Sequence, residues 1–330
     1  MKKILAFLLA TLMIFVFAAC SGDNGDLATV TVNSDGEYVV GICQLAPHPA
    51  LDAATQGFKD ALTEEFGDKV DFVEQNAQGD NNTCTTIITS LVNKNVDLIM
   101  ANATAALQAA ASGTKKIPVL GTSITEYGVA LGIENFSGTV GGNISGTSDL
   151  APLSEQADMV KELYPDAKNI GLIYCSAEPN SDYQIKEIER YLKDLGYTCK
   201  KYPFSDTNDV ASVSAKAAQE SDVIYVPTDN TVATCTGAIL GAIGDKPIIA
   251  GESGICSGCG IATLSIDYYD LGFATGKMAV KILNGEKSVT DMPIEYAPKF
   301  EKLYNKSRCE DLGINISDLE AKGYKAIATQ

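Results

Sequence analysis

The sequence predicts two α/β lobes, each built on a parallel sheet covered by helices on both faces. Three observations carry that expectation. Short apolar strands alternate with amphipathic helices along most of the chain, as in sheets buried on both sides. The plan is then written twice. Gly41-Ile42-Cys43-Gln44, with a loop ending in His48-Pro49, returns as Gly171-Leu172-Ile173-Tyr174 with a loop ending in Glu178-Pro179; Val96–Thr104 returns as Ser221–Asp229, and Ile117–Ser123 as Lys246–Ser253. Between the copies lies Ser137–Asp149, glycine-rich and without helical or strand periodicity, so residues 138–149 read as a strap joining two lobes.

Taken in order, Tyr38–Cys43 is a buried strand and Leu51–Phe66 a helix with Leu51, Ala54, Phe58, Leu62 and Phe66 on one stripe. Val70–Glu74 is the second strand. Asp80-Asn81-Asn82-Thr83 caps a helix that runs to about Lys94, because short polar side chains satisfy the open N–H groups of a first turn. Val96–Ala101, the helix Ala103–Ser112 and the strand Ile117–Gly121 follow, and Val129–Ile133 supplies a fifth strand. After the strap come the helix Leu153–Tyr164, the strand Ile170–Cys175, the helix Asn180–Leu195 and the strand Thr198–Tyr202. The helix Asp209–Glu220, the strand Val223–Val226, one helix over Asn230–Ile243, and the strands Pro247–Ala250 and Ile261–Leu264 complete the second copy. A helix over Tyr269–Leu283 breaks at Asn284-Gly285. Two extended segments in the tail from Pro293 to Gln330 suggest that the chain crosses between lobes three times.

At 330 residues there is room for two domains, and 45% hydrophobic with 20% charged residues fits a folded protein. A net charge of −17 disfavours nucleic-acid phosphates and an acidic membrane surface as partners, so no nucleic-acid partner is expected. Lys2-Lys3, an apolar run from Ile4 to Ala19 and small residues before Cys20 read as a secretory signal too short to span a bilayer. The cysteine in that setting resembles the lipobox of bacterial lipoproteins, with Phe17 where Leu is preferred. Residues 1–19 are thus expected to be a signal peptide, Cys20 the lipidation site, and residues 20–36 a lipidated tether at the membrane face. The other eight cysteines are scattered through strand-like and helix-like runs. Cys256-Ser-Gly-Cys259 is a single CxxC without partners of similar spacing, so free thiols are expected and a metal site is not.

In open parallel sheets ligands bind beyond the carboxyl ends of the strands, and two such lobes face their rims into one cleft. The rim of lobe one offers Gln44, His48, Pro49, Asn76, Gln78, Ala103, Thr104, Thr122 and Ser123. That of lobe two offers Glu178, Asn180, Ser181, Thr228, Asp229, Asn230 and Glu252. Helix N-termini there suit a carboxylate, while Asp229 and Glu252 can counter an ammonium, so the pair of seats suits a zwitterion. His48 is the sole histidine, and nothing around it forms a triad; no Walker loop or dinucleotide fingerprint is present. Tyr127, Tyr268 and Tyr269 are candidates for stacking on a ligand.

Gln44-Leu45-Ala46-Pro47-His48-Pro49-Ala50-Leu51-Asp52, Asn76-Ala77-Gln78-Gly79-Asp80, Tyr225-Val226-Pro227-Thr228-Asp229-Asn230-Thr231-Val232, Gly251-Glu252 and Ile266-Asp267-Tyr268-Tyr269-Asp270-Leu271-Gly272 resemble the substrate-binding lipoproteins of ABC importers, in the subfamily that binds tryptophan or tyrosine. The resemblance implies a type I periplasmic-binding fold, with two flavodoxin-like (Rossmann-like) lobes joined by a three-strand hinge. Lobe one would hold residues 37–146 and about 266–292, lobe two residues 147–265 and about 293–330. It also implies that the loops just quoted, Asp267 included, hold an aromatic amino acid. The protein would be a monomer without cofactor or enzymatic activity, delivering its ligand to a permease and its ATPase. Ser123-Ile124-Thr125-Glu126-Tyr127 is bulkier than the family pattern. Two other readings fit the same fold: a sensory lipoprotein, or a binder of another small molecule such as a nucleoside or sugar. The lack of tryptophan platforms weighs against sugar. An enzyme using paired thiols, such as a racemase, would need Cys43 and Cys175 at matching offsets, which they do not have.

Overall fold

The computed structural model describes residues 37–297 and 299–327. The signal, Cys20 and the tether lie outside the described residues. Two mainly parallel sheets organise the chain. In the first, β1 (Tyr38–Gln44), β2 (Val70–Asn76), β3 (Leu98–Asn102), β4 (Val119–Ile124) and β5 (Ile144–Ser148) alternate with α1 (Pro49–Phe66), α2 (Asn81–Asn93), α3 (Thr104–Gly113) and α4 (Tyr127–Leu131). In the second, β6 (Asn169–Cys175), β7 (Thr198–Phe204), β8 (Val223–Val226), β9 (Ile248–Ala250) and β10 (Ala262–Ser265) alternate with α6 (Pro179–Asp194), α7 (Val210–Glu220), α8 (Asn230–Thr234), α9 (Thr236–Ile243) and α10 (Ser253–Cys259), with α5 (Leu153–Leu163) leading in. Reading inward from the edge, the strands run β2-β1-β3-β4-β5 in one sheet and β7-β6-β8-β9-β10 in the other, the same flavodoxin-like order twice. The duplicated motifs therefore fall on equivalent strands.

The chain passes between the sheets three times. It leaves β5 through Asp149–Pro152 into α5, and returns from β10 through Ile266-Asp267 into α11 (Tyr268–Leu283). It then adds β11 (Glu295–Tyr296) beside β5 in the first sheet, and crosses again to β12 (Glu301–Tyr304), which pairs antiparallel to β10. Two short helices, α12 (Lys306–Asp311) and α13 (Ile316–Ala321), lead to β13 (Lys325–Ala326) at the edge of the second sheet.

Each sheet is buried on both faces, and each face has its own apolar cluster. Leu91, Ile99 and Leu107 lie on one side of the first sheet, with Phe58, Leu98 and Met278 on the other. Leu172, Ile188 and Tyr225 and then Ile224, Ile239 and Ile248 do the same for the second. α11 lies against α1 through glycines. A Cβ on Gly272 would stand 1.9 Å from the Ala54 carbonyl oxygen, and one on Gly57 would stand 2.1 Å from that of Tyr269. The two backbones touch, which only a residue without a side chain permits.

Three local expectations are corrected. Val129–Ile133 is not a strand: Glu126 accepts hydrogen bonds from the N–H groups of Gly128 and Val129 and starts the short helix α4 instead. The fifth strand is β5, inside the segment read as a strap. It packs against β4 where Gly146, at φ 142°, passes so near Gly121 that an added Cβ would meet its carbonyl oxygen at 2.0 Å. The single helix over Asn230–Ile243 is two, α8 and α9, broken at Cys235, where φ −129° and ψ 21° leave the helical region.

Candidate functional site

The carboxyl ends of β1 and β3 face those of β6 and β8, the places in each sheet where the strand order reverses and loops diverge. Between them lies a cleft of about 770 Å³ lined from the first lobe by Leu45–Pro49, Gln78 and Thr104, and from the second by Glu178–Asn180, Asn230 and Thr231. Deeper in, His48, Leu51, Asp149, Thr228, Asp229, Asn230, Ala233, Glu252 and Tyr268 enclose a cavity of about 10 Å³. A groove of about 650 Å³ on the hinge side takes in Pro49, Asp267 and Tyr269.

The two walls differ in electrical character. On the lobe-one side, α3 begins after Ala103, which carries no side-chain cap and is held at φ 86°, ψ 160°. A positive φ in a residue with a Cβ is costly and survives where the surroundings impose it, commonly at binding sites. α3 thus begins with open N–H groups at the cleft, which Thr104 and Ala105 line. α1 likewise starts uncapped at His48, with Pro49 in its first position. His48 is 7% exposed; its Nε2 is 3.5 Å from Asn230 Oδ1 across the cleft and its Nδ1 has no partner. Burial holds the imidazole below its ordinary pKa, favouring the neutral ring, against the raising influence of Asn230, Asp52 and Glu178.

The lobe-two side is carboxylate. Asp229 accepts from the N–H of Cys175 at 2.7 Å and of Val232 at 2.8 Å, tying the end of β6 to the start of α8. Burial, and then the charge of Glu178, push it up to about 8. Glu252 accepts from the N–H groups of Gly254 and Ile255 at the start of α10, and burial pushes it up to about 7. Glu178 binds the next turn together: it accepts from Asn230 N and Nδ2 (3.2 and 2.8 Å), Thr231 N and Oγ1 (2.7 and 2.6 Å) and Asn180 Nδ2 (3.0 Å). Asn180 Nδ2 also donates to Ser181, which is buried beside Asp229. Thr228 is held through its N–H by Gln184 and donates its hydroxyl to the Gly251 carbonyl at 3.4 Å.

Other rim residues are turned elsewhere. Gln44 spends its amide on Ala46, Asp52 and Thr55. Asn76 accepts from the backbone and side chain of Gln78, which sits at φ 55° on the cleft edge. The Thr122 hydroxyl belongs to a buried trio with Thr147 and Thr275, facing α11. Ser123, at φ 55°, is buried with an unpartnered hydroxyl. Asp267 caps α11 and lines the hinge-side groove, apart from the small cavity. Of the tyrosines, Tyr127 is bonded to the carbonyls of Gly121 and Thr147 inside lobe one.

Asp149 is the residue that sequence reasoning passed over. It is 4% exposed, sits on the first crossing, and accepts from Thr125 Oγ1 and Tyr268 OH, each at 3.1 Å. Burial pushes its carboxyl up to about 6. The available signal was one acid in an otherwise uncharged run, Ser137–Asp149, just ahead of a helix.

Residues 39–322 match the family described as ABC transporter substrate binding protein, and the chain belongs to that family. A "Tyrosine-binding protein" of Clostridioides difficile is 34% identical over 335 residues, covering 99% of this chain and 96% of that one. Among solved structures, one from Streptococcus pneumoniae in complex with L-Trp is 33% identical, with a TM-score of 0.83 over 88% of this chain and 100% of its own. The ligand-free, open structure of a substrate binding protein with adhesive properties from Clostridium difficile is 34% identical, yet its TM-score is 0.69 over 89% of this chain and all of its own. At nearly the same identity, this structure therefore superposes better on the ligand complex than on the ligand-free, open one.

Proposed function

We propose that the chain captures an aromatic amino acid (tryptophan, tyrosine or phenylalanine) between its lobes, outside the cell membrane, and passes it unchanged to an ABC permease driven by its ATPase. The observation that carries the reading is the opposition of the two walls. Open N–H groups at the starts of α3 and α1 form an anion seat on one side. Buried Asp229 and Glu252 on the other, with buried Asp149 on the crossing between the lobes, form a cation seat. An α-amino acid carries both charges within a few ångströms, and its side chain is left the apolar part of the cleft, where Leu45, Ala46, Ala105 and Ala177 stand. The family membership, and the ligands that two relatives carry in their names, point the same way. Lipid attachment at Cys20 would keep the protein at the membrane beside its permease.

The test is direct because the chain contains no tryptophan. Added L-tryptophan is the only indole in the sample, so a saturable change in its fluorescence reports capture without background. L-Tyrosine and L-phenylalanine are assayed by thermal stabilisation, expected to rise with ligand concentration. No response to any of the three at millimolar concentration rejects the aromatic assignment.

A further inference from the structure

Three carboxylates meet around the small inter-lobe cavity without a cation beside them. Asp149 comes from the hinge, Asp229 from the end of β8 and Glu252 from the end of β9; all are more than nine-tenths buried and all line the same cavity. None of the ion pairs among the described residues includes them. Their partners are neutral hydroxyl and backbone N–H donors.

The titratable groups packed around them are acids too. Glu178, Cys175 and Cys235 stand near Asp229; Asp149, Cys256 and Cys259 near Glu252; Tyr127 and Tyr268 near Asp149. The one base at the cavity, His48, is held toward its neutral form and presents an unpartnered Nδ1. Arg308 reaches the neighbourhood of Cys259 but gives its guanidinium to the carbonyls of Gly244 and Lys246. Several buried carboxylates cannot all stay ionised without a cation: either they take up protons or a cation joins them.

We infer that ligand capture is proton-linked: the ammonium of the bound zwitterion replaces a proton that the ligand-free closed form holds on the Asp149–Glu252 part of the cluster. This rests on the amino-acid reading above. In the exchange a carboxyl O–H breaks, its proton leaves to the buffer, and the ligand keeps all three ammonium protons. The direction of titration agrees, with Asp149 pushed up to about 6 and Glu252 to about 7. Because these folded values lie above those of an unfolded chain, the proton stabilises the ligand-free protein. That stability is present at low pH and is lost as pH rises through the folded values. Ligand affinity runs the other way, falling by up to about tenfold per pH unit and per proton between pH 7 and pH 5.

The experiment is titration calorimetry of the whole protein with L-tryptophan, L-tyrosine or L-phenylalanine at pH 6.5, in phosphate and in imidazole buffer. The heats are expected to differ by the buffers' protonation enthalpies times roughly half to one proton released per ligand. Asp149→Asn and Glu252→Gln should each lower that number. A parallel melting series on ligand-free protein from pH 5 to pH 8 should show a falling Tm, flattened in Asp149→Asn. Binding with heats independent of buffer, or proton release unchanged in both variants, overturns the inference while leaving the ligand assignment standing. Failure of all three amino acids to bind overturns both.

Discussion

Replacing Gly272 with alanine tests whether the cleft depends on the backbone contact between α1 and α11. An added Cβ would lie 1.9 Å from the Ala54 carbonyl oxygen and 2.6 Å from its carbon. Side chains essentially never approach closer than about 3 Å, so the helices must part by more than about 1 Å. Overpacking of this kind costs about 1–3 kcal/mol or more, and the obstacle here is main chain that cannot rotate away, which places the cost near the top of the range. Alanine regains about 1 kcal/mol of helix propensity, leaving a net loss of about 2 kcal/mol. For a chain of this size that is a fall of about 4 °C in Tm. Because α1 begins at His48 and Pro49 on the cleft, shifting it should also weaken ligand binding. Gly241→Ala in α9 is the control: its Cβ would meet nothing within 4 Å, so the same substitution should raise Tm by about 1–2 °C. Melting of both variants by calorimetry decides the matter. A Gly272→Ala protein within 1 °C of wild type would refute the argument from contact.

Three further outcomes are expected. Glu178→Gln leaves one acceptor oxygen where a carboxylate served donors from Asn180, Asn230 and Thr231, and on this half-buried site should cost about 1–2 kcal/mol in urea unfolding together with loss of ligand affinity. Tyr268→Phe removes the hydroxyl that lowers the Asp149 pKa, so that carboxyl rises further above about 6; stability should fall more at pH 8 than at pH 5, and an equal loss at both would contradict the role given to the hydrogen bond. In thiol counting on the native protein, half-buried Cys199 and Cys235 should react slowly, because burial raises their thiol pKa, while Cys43, Cys84, Cys175, Cys256, Cys259 and Cys309 should wait for denaturant, because burial removes access.

The strand–helix alternation and the duplication were legible because fully buried parallel strands such as Ile170–Cys175 must be continuously apolar. β5 was not, because Ile144-Ser145-Gly146-Thr147-Ser148 fills its place through hydroxyl pairing, Thr147 to Thr122 and Thr275, and through a glycine contact, neither of which leaves a hydrophobic signature. Val129–Ile133 misled in the opposite sense. Its apolar residues fit a strand by composition, but the Glu126 carboxylate reaching two N–H groups ahead decides for a helix. Of the site, the rim acids Asp229 and Glu252 could be found from repeat position. Asp149 carried only the signal of an acid ahead of a helix, since Thr125 and Tyr268, which hold its carboxyl, come from separate parts of the chain.

That Asp149 and Tyr268 stand at the crossings bears on how the lobes would respond to a ligand. The contact of His48 with Asn230 across the cleft is 3.5 Å long, at the limit of a hydrogen bond, so it contributes little to keeping the lobes shut. On the proposed reading the three carboxylates would oppose closure while they are ionised with no cation beside them, and an ammonium would remove that opposition. A bound zwitterion therefore differs in free energy between open and closed forms through the same groups that make closure unfavourable without it, which is the condition for a ligand to shift a population. With one of those groups on a crossing, a segment that would change shape as the lobes move also touches the cavity, so on this reading sensing and movement would share residues and need no separate relay.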